Sequence, residues 1–211
     1  MTTFTDDIRA IAAHYGVPQK TVTNAPSQGQ VNLTVFLGSD LVLRIPRTVK
    51  AADQLIKEAE VIPLVQAAGV PTAGLISYDA SLEVASVPYM VVERLHGTTL
   101  AEYESADRRL AYQSIGEMLV ALHRIRLSSV ATASTIPAPY TFSARELTQE
   151  LKNVGEIGSS QADWLLEQFE LLNPAGPEWE DPVLLHRDVT ASNLIVDRRG
   201  RVTALFDWGC A

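Results

Sequence analysis

The chain of 211 residues has few of the features that mark secreted or membrane proteins. It contains one cysteine, Cys210, which excludes an intramolecular disulfide framework and favours a reducing compartment. It does not begin with a basic segment followed by an apolar one, and no apolar run approaches the length that spans a bilayer. We therefore expect a soluble, cytoplasmic protein without a membrane partner.

Positive charge is also scarce. The chain carries 17 Lys and Arg against 25 Asp and Glu, a net charge of −8, which argues against nucleic acid as the main partner. The four histidines and the single cysteine form no cluster with the spacing of zinc ligands. The hydrophobic content of 46% is enough for a substantial core, as one large domain or two small lobes.

The most informative segment lies near the C-terminus. It reads His-Arg-Asp-Val-Thr-Ala-Ser-Asn from His186 to Asn193, and Asp207 follows fourteen residues later in the step Phe-Asp-Trp. An H-x-D-x-x-x-x-N run followed by such an aspartate is typical of kinase-like phosphoryl transfer. Asp188 would accept the proton of an acceptor hydroxyl or orient that hydroxyl towards the γ-phosphate. Asn193 and Asp207 would give Mg²⁺ the oxygen ligands it prefers.

The residues between these side chains predict how they meet. Residues 194–196 and 202–206 have the composition of strands, and the Asp-Arg-Arg-Gly sequence between them indicates a turn. A hairpin would bring Asn193 and Asp207 to adjacent strand ends. Residues 183–185 are apolar and predict a further strand that leads into this block.

The N-terminal part supplies a candidate phosphate loop. Residues 24–32, which include Gly29 and Asn32, are rich in turn formers and precede two predicted strands at 33–37 and 41–45. Such a turn can lay backbone N–H groups over the phosphates of a nucleotide. An ordinary hairpin loop has the same composition.

A cation and a carboxylate form the second candidate pair. Arg44 interrupts an apolar strand, and Glu58 follows fourteen residues later in a predicted helix at 51–68. A strand cation paired with a helix carboxylate positions phosphates in kinase-like sites. A solvent-exposed Arg and Glu would give the same pattern, and Glu60 is a rival partner. Pro63 should kink this helix or end its regular hydrogen bonding near Ala59.

Helices dominate the middle of the chain. Apolar periodicity predicts a helix from Ala106 to His123 and two more at about 143–154 and 160–172. The latter two lie within residues 125–182, just before the His186 block. This position makes residues 125–182 the candidate region for recognition of the phosphate acceptor.

Five segments of the chain resemble one known family. They are residues 42–47, 57–60, 91–100 and 121–123, and the block from His186 to Asp207. In these segments the chain resembles the aminoglycoside phosphotransferase family, including its macrolide-phosphorylating relatives, within the protein-kinase-like superfamily. The last block is the most specific of the five.

The resemblance implies an α+β, protein-kinase-like fold of two lobes with the nucleotide between them. Residues 1–95 would form a nucleotide-binding lobe, with a five-stranded, mostly antiparallel sheet packed against one helix. Residues 96–211 would form a mostly helical catalytic lobe. By the same resemblance, Glu93 and Leu95 would hold adenine through their backbone groups.

The chain departs from the family pattern in two places. Many relatives have Lys where this chain has Arg44, and Arg is bulkier but grips phosphate bidentately. Relatives usually continue past the second metal-binding aspartate with several helices, whereas this chain ends four residues after Asp207. We expect the final helices of the C-terminal lobe to be missing and the apolar surface left uncovered to favour self-association.

The sequence therefore predicts a phosphotransferase that uses ATP or GTP with Mg²⁺. The acceptor would be a hydroxyl of a small molecule such as an aminoglycoside, a macrolide or a related metabolite. The alternative is an inactive nucleotide-binding remnant or interaction module, which the early end of the chain favours and the intact motif opposes. A protein kinase is disfavoured because no activation segment follows Asp207 and the Gly-containing loop lacks the G-x-G-x-x-G pattern.

Overall fold

A computed structural model describes most of the chain. The described residues are 4–25, 31–105, 107–126, 144–172 and 183–210. The chain divides into two compact units, one formed by Met1–Ile136 with Val183–Ala211 and the other by Pro137–Pro182. The lobe boundary predicted between residues 95 and 96 falls within the first unit, and that division stays a prediction. Within the described ranges, no helix is long and apolar enough to cross a membrane.

Eight strands and five α-helices are described. The strands are β1 (Val22–Asn24), β2 (Asn32–Leu37), β3 (Leu41–Pro46), β4 (Leu75–Asp79), β5 (Tyr89–Glu93), β6 (Thr98–Thr99), β7 (Leu194–Val196) and β8 (Val202–Leu205). The helices are α1 (Thr5–His14), α2 (Val49–Ala67), α3 (Arg109–Leu122), α4 (Ala144–Asn153) and α5 (Ser159–Leu172).

The first five strands form one antiparallel sheet in the order β1-β2-β3-β5-β4. The predicted hairpin of β2 and β3 is confirmed, and its turn contains Gly38 at a φ of +68°, which favours glycine. Alternation along β3 separates two faces. Leu43 and Ile45 are buried in a cluster with Ile11 of α1, whereas Val42 and Arg44 lie on the opposite face.

Helix α2 packs on that opposite face. Its buried residues Leu55, Val61, Ile62 and Val65 belong to the second hydrophobic cluster. Thr48 caps the helix by accepting a hydrogen bond from the Ala51 N–H. The helix ends in a Schellman motif, in which Gly69 and Val70 donate to the carbonyls of Gln66 and Val65.

Pro63 does not end α2, so the interpretation that regular hydrogen bonding stops near Ala59 is wrong. The helix continues to Ala67 with Pro63 inside it. Proline removes one hydrogen bond and costs about 3 kcal/mol in a helix interior. Burial of the three large side chains at Val61, Ile62 and Val65 contributes about 1.5–3 kcal/mol each, which is enough to offset that cost.

Strands β6, β7 and β8 form a second antiparallel sheet. The predicted hairpin of β7 and β8 is confirmed, with Leu194 paired to Leu205. The strand predicted at residues 183–185 is wrong. In the described part of the chain, this segment forms only an isolated bridge, in which Val183 pairs with Arg126 and the Leu184 N–H donates to the Ile125 carbonyl. The side chain of Leu185 is exposed, so its burial does not stabilise a strand at this position.

Helix α3 begins later than its periodicity predicts. It starts at Arg109, and Ala106 lies outside the described residues. Ser105 Oγ accepts from the Asp107 N–H, and the Asp107 carboxylate accepts from the Arg109 N–H. These local bonds compete with the first helical turn. In the other unit, the two predicted helices are confirmed as α4 and α5.

Ser114 ties α3 to the hairpin that carries the motif. Its hydroxyl donates to the Leu110 carbonyl within α3 and accepts from the Val202 N–H of β8 at 3.0 Å. Ser114→Ala leaves a buried amide without its acceptor, so we expect the free energy of unfolding to fall by about 1–3 kcal/mol. Urea denaturation followed by circular dichroism measures this, with exposed Gln113→Ala as the matched control on the same helix. Equal stability of the two variants would contradict the assignment.

Candidate active site

The loop from Asp188 to Asn193 is closed by its own side chains. The Asn193 amide nitrogen donates to the Asp188 carbonyl at 3.0 Å and to Asp188 Oδ2 at 2.9 Å. The Thr190 N–H also donates to the Asp188 carbonyl, at 2.9 Å. These bonds hold the carboxylate by one oxygen. Asp188 Oδ1 accepts no hydrogen bond from the described residues, and the side chain is partly exposed.

His186 is the internal support of this loop. It is buried, and its Nδ1 accepts from the Asp188 N–H at 3.2 Å while its Nε2 lies 3.0 Å from the Phe206 carbonyl. Burial lowers the pKa of His186, so the ring is neutral at pH 7. The neutral tautomer with its proton on Nε2 satisfies both bonds, because it donates to Phe206 and accepts from Asp188.

Asp207 lies beside this loop as the hairpin prediction required. The Phe206 N–H donates to the Asn193 carbonyl at 3.1 Å, so the ends of β7 and β8 carry the two side chains together. Asp207 has a φ of +69° and Arg187 a φ of +65°, a region that costs a non-glycine residue about 1–3 kcal/mol. Such strain persists only where neighbouring contacts determine the backbone.

Arg44 connects the sheet, α2 and the motif. Its Nη1 forms an ion pair with Glu58 Oε1, and its Nη2 forms another with Asp207 Oδ1 at 3.0 Å. The predicted pair of Arg44 with Glu58 is therefore formed, and the reading of both as solvent-exposed residues is wrong, because Glu58 is 3% exposed. The contact with Asp207, 163 positions away, was not predicted.

Arg44, Glu58 and Asp207 form a triad whose electrostatics favour the charged guanidinium. Burial alone would lower the pKa of Arg44, but the carboxylates of Glu58 and Asp207 outweigh it and hold that pKa above its ordinary value. Burial raises the pKa of Glu58, and the cation of Arg44 and the backbone N–H of Trp208 oppose that rise. Arg44 therefore stays cationic and supplies the positive charge of the site.

Glu93 and Leu95 lie at the end of β5. The Glu93 N–H donates to the Gly74 carbonyl at 2.8 Å, and its carboxylate accepts from the Gly74 N–H at 3.0 Å. The next residue, Arg94, donates from its N–H to the Asp40 carbonyl and stacks its guanidinium on Phe36. Within the described part of the chain, no hydrogen bond engages the Leu95 N–H.

The candidate phosphate loop is described only in part. Gly29 lies outside the described residues, and Asn32 begins β2. Asn32 shares a sheet face with Thr34, which lies directly opposite Arg44. Asn32 is buried, and its Oδ1 accepts no hydrogen bond from the described residues. A buried amide oxygen without a donor is uncommon in proteins, so Asn32 Oδ1 is a candidate acceptor for a ligand or a water molecule.

The donor set at Asn193 and Asp207 fits Mg²⁺. The amide nitrogen of Asn193 donates to Asp188, which leaves Asn193 Oδ1 available. Asp207 accepts from Arg44 through Oδ1, which leaves Asp207 Oδ2 available. Mg²⁺ is commonly held by one or two protein oxygens together with substrate phosphates and water. Among the residues that the structure describes, no group of three or more His, Cys, Asp or Glu side chains forms a metal site.

Comparison with known proteins identifies the family of this arrangement. The model of the phosphotransferase enzyme family matches residues 22–211. The chain belongs to this family. No curated protein matches the sequence. The match confirms the resemblance to this family that was drawn from the motif.

Solved structures support the same fold. The GDP complex of wild-type aminoglycoside 2'-phosphotransferase-IIIa aligns with a TM-score of 0.71 at 18% identity, over 96% of this chain and 71% of that one. Macrolide 2'-phosphotransferase type I aligns at 0.63 and 20% identity, over 99% and 72%. The apoenzyme of macrolide 2'-phosphotransferase MphH from Brachybacterium faecium aligns at 0.66 and 21% identity, over 97% and 72%. The α+β, kinase-like fold of this phosphotransferase family member is thereby confirmed.

Sequence reasoning missed the supports of the site. Trp208 is fully buried, lies edge-on against His186 at 4.5 Å between ring centroids, and donates from its indole to Thr72 Oγ1. A large aromatic directly after the aspartate predicted to bind a metal is a signal for such a role, because buried Trp usually finds a hydrogen-bond partner. The side-chain contact of Glu93 with Gly74 left no comparable signal in the sequence.

The buried neutral His186 predicts a pH dependence of stability. Its folded pKa is lowered, so the unfolded chain binds a proton first, near pH 6.5, and stability falls as the pH falls below about 6.5. His186→Asn keeps an acceptor for the Asp188 N–H but does not titrate, so this part of the slope should disappear. Denaturant unfolding between about pH 5 and 7 measures the slope, and exposed His123→Asn should retain it. An unchanged slope in His186→Asn would contradict the account.

Proposed function

We propose that this chain transfers the γ-phosphoryl group of ATP or GTP to a hydroxyl of a small molecule, with Mg²⁺ as cofactor. The observation that carries the proposal is the triad of Arg44, Glu58 and Asp207 beside the Asp188 loop. Three features support the proposal. Arg44 is a fixed cation, Asn193 and Asp207 each have an oxygen suited to Mg²⁺, and Asp188 has one oxygen that accepts no hydrogen bond from the described residues. Phosphoryl transfer is catalysed mainly by such positioning and charge neutralisation.

The nucleotide base would bind at the end of β5. The Glu93 N–H is already used by Gly74, so the groups left for a base are the Glu93 carbonyl and the Leu95 backbone. A carbonyl and an N–H two residues apart complement the donor and acceptor edge of adenine. The GDP complexes and the ADP-bound form among the similar structures are consistent with either nucleotide for this chain.

Arg44, Asn32 and Gly29 would bind the phosphates of the nucleotide. Arg44 uses one N–H of each Nη on carboxylates and retains further donors for phosphate oxygens. The Asn32 side chain, on the same sheet face, would join the phosphate loop. Asn193 and Asp207 would hold Mg²⁺, which neutralises charge on the phosphate oxygens. Glu58 keeps Arg44 in place from beneath.

Asp188 would act on the acceptor. Asn193 holds the carboxylate through Oδ2, which leaves Oδ1 able to accept the hydrogen bond of an incoming hydroxyl. Oδ1 would orient the hydroxyl in line with the γ-phosphate and accept its proton. The new P–O bond would form as the bond between the γ-phosphorus and the leaving nucleoside diphosphate breaks. The neutral ring of His186 holds the Asp188 backbone from below.

The acceptor is proposed from the family alone. The similar structures include an enzyme complexed with kanamycin and another with gentamicin, and these ligands are properties of those proteins. Aminoglycosides and macrolides are therefore the first candidates, and residues 125–182 the candidate recognition region. Cytoplasmic localisation and self-association through an exposed apolar surface stay predictions.

Removal of the proposed base tests this function. Asp188→Ala should lower kcat for phosphoryl transfer by about 10²–10⁴-fold, because it removes the group that orients the hydroxyl and accepts its proton. Nucleotide affinity should stay nearly intact. Release of nucleoside diphosphate from ATP and GTP, measured with kanamycin, gentamicin or a macrolide, follows the reaction, and titration calorimetry follows binding.

The matched control is exposed Asp53→Ala, which lies on α2 and should keep the wild-type rate. Transfer by Asp188→Ala at a rate comparable to that of the wild type would overturn the mechanism. Nucleotide binding by the wild type without turnover on any acceptor would favour the alternative of a non-catalytic nucleotide-binding module.

A further inference from the structure

Residues 71–74 form the last part of the segment that joins α2 to β4, and they lie between the two ends of the proposed nucleotide site. Buried Val70 and Ala73 anchor it in the same hydrophobic cluster as Trp208. The Schellman motif after α2 sets its entry, since the Val70 N–H donates back to the Val65 carbonyl. The segment is therefore fixed by packing rather than free to move as a loop.

One end of this segment contacts the motif. The Leu205 N–H of β8 donates to the Pro71 carbonyl at 2.9 Å. The indole N–H of Trp208 donates to Thr72 Oγ1, also at 2.9 Å. Both contacts come from residues within two positions of Asp207, one on each side of it.

The other end contacts the strand that would bind the base. Gly74 exchanges two hydrogen bonds with Glu93, one through the Glu93 N–H and one through its carboxylate. A Cβ at Gly74 would lie 2.6 Å from Glu93 Oε2, so any other residue would displace the Glu93 carboxylate from this position. Residues 71–74 thus span from the proposed base-binding backbone to the proposed metal ligand.

The strained backbone at Asp207 must be held by contacts of the residues on either side of it. The Phe206 N–H donates to the Asn193 carbonyl, and the Phe206 carbonyl lies against His186 Nε2. The backbone N–H of Trp208 donates to the Glu58 carboxylate. All of these partners belong to the motif or to the triad. Thr72 is the further partner, and it fixes the ring of Trp208 rather than its backbone.

We propose that Thr72 is a positioning residue for Asp207, and that residues 71–74 set the distance between the metal ligand and the base-binding strand. Thr72 acts through the indole of Trp208, which cannot rotate while its N–H is bound and its ring lies against His186. This inference rests on the proposed function, because it assigns a role in binding a magnesium nucleotide.

The test separates binding with magnesium from binding without it. Thr72→Val is nearly isosteric and removes only the acceptor oxygen. We expect it to weaken nucleotide affinity in the presence of Mg²⁺ by about tenfold, the lower end of the loss seen when a residue supporting a metal ligand is changed. Affinity in EDTA should stay within about twofold, because Gly74 and Glu93 keep both of their bonds. Titration calorimetry with ADP and GDP measures both.

Two further variants keep the result specific. Thr72→Ser retains the acceptor and should bind as the wild type does. In a Trp208→Phe background, Thr72→Val should have no further effect, because the indole N–H is already gone. Equal losses with and without Mg²⁺, no loss in Thr72→Val, or a loss in Thr72→Ser as large as in Thr72→Val would each overturn the role of Thr72 while the proposed function stands. Absence of nucleotide binding by the wild type would overturn both.

Discussion

The site depends on the two ion pairs that the guanidinium of Arg44 forms with Glu58 and Asp207. This guanidinium joins the neighbouring elements β3 and α2 to the segment after β8, where Asp207 lies 163 positions from Arg44. Two carboxylates need one cation with two separate donors, which a lysine ammonium at the end of a flexible chain does not present in a fixed geometry. Removing the cation would leave Glu58 buried and unpaired, a change that typically costs about 3–5 kcal/mol.

The same interaction arranges the chemistry. It holds Asp207 against the end of the hairpin while leaving one of its oxygens open, and Asn193 is left open in the same way by its bonds to Asp188. The backbone strain at Asp207 and Arg187 is tolerated because buried partners on both sides, above all His186 and Trp208, determine those positions. The site is built by residues that are themselves fixed, which is what preorganised electrostatic catalysis requires.

The sequence predicted those parts of the fold that follow from local patterns. Strand-like composition and turn residues predicted both hairpins, and apolar periodicity predicted α3. These signals are local, because the residues that form them lie within a few positions of one another. The motif indicated that Asp188, Asn193 and Asp207 lie near one another, because a short loop joins the first two and one hairpin joins the last two. The pattern left open whether Arg44 pairs with Glu58 or with Glu60, and the structure shows the ion pair with Glu58.

The remaining features depend on tertiary contacts that no local pattern encodes. Pro63 is a helix breaker by propensity, but the core around α2 overrides it. The contact of Arg44 with Asp207 and that of Trp208 with Thr72 join residues 163 and 136 positions apart. The late start of α3 follows from hydrogen bonds of Ser105 and Asp107, which composition alone does not distinguish from a first helical turn.

The most direct measurement is a thermal melt with and without magnesium nucleotide, ATP and GTP each, on the wild type and on Asp207→Asn. A ligand at about 100 times its dissociation constant adds roughly 2.7 kcal/mol of stability, or about 5–10 °C in Tm for a chain of this size. We expect that shift in the wild type with at least one nucleotide, and its loss in the variant. No shift in the wild type, or an equal shift in both proteins, would contradict the assignment of Arg44, Asn193 and Asp207 to a magnesium nucleotide site.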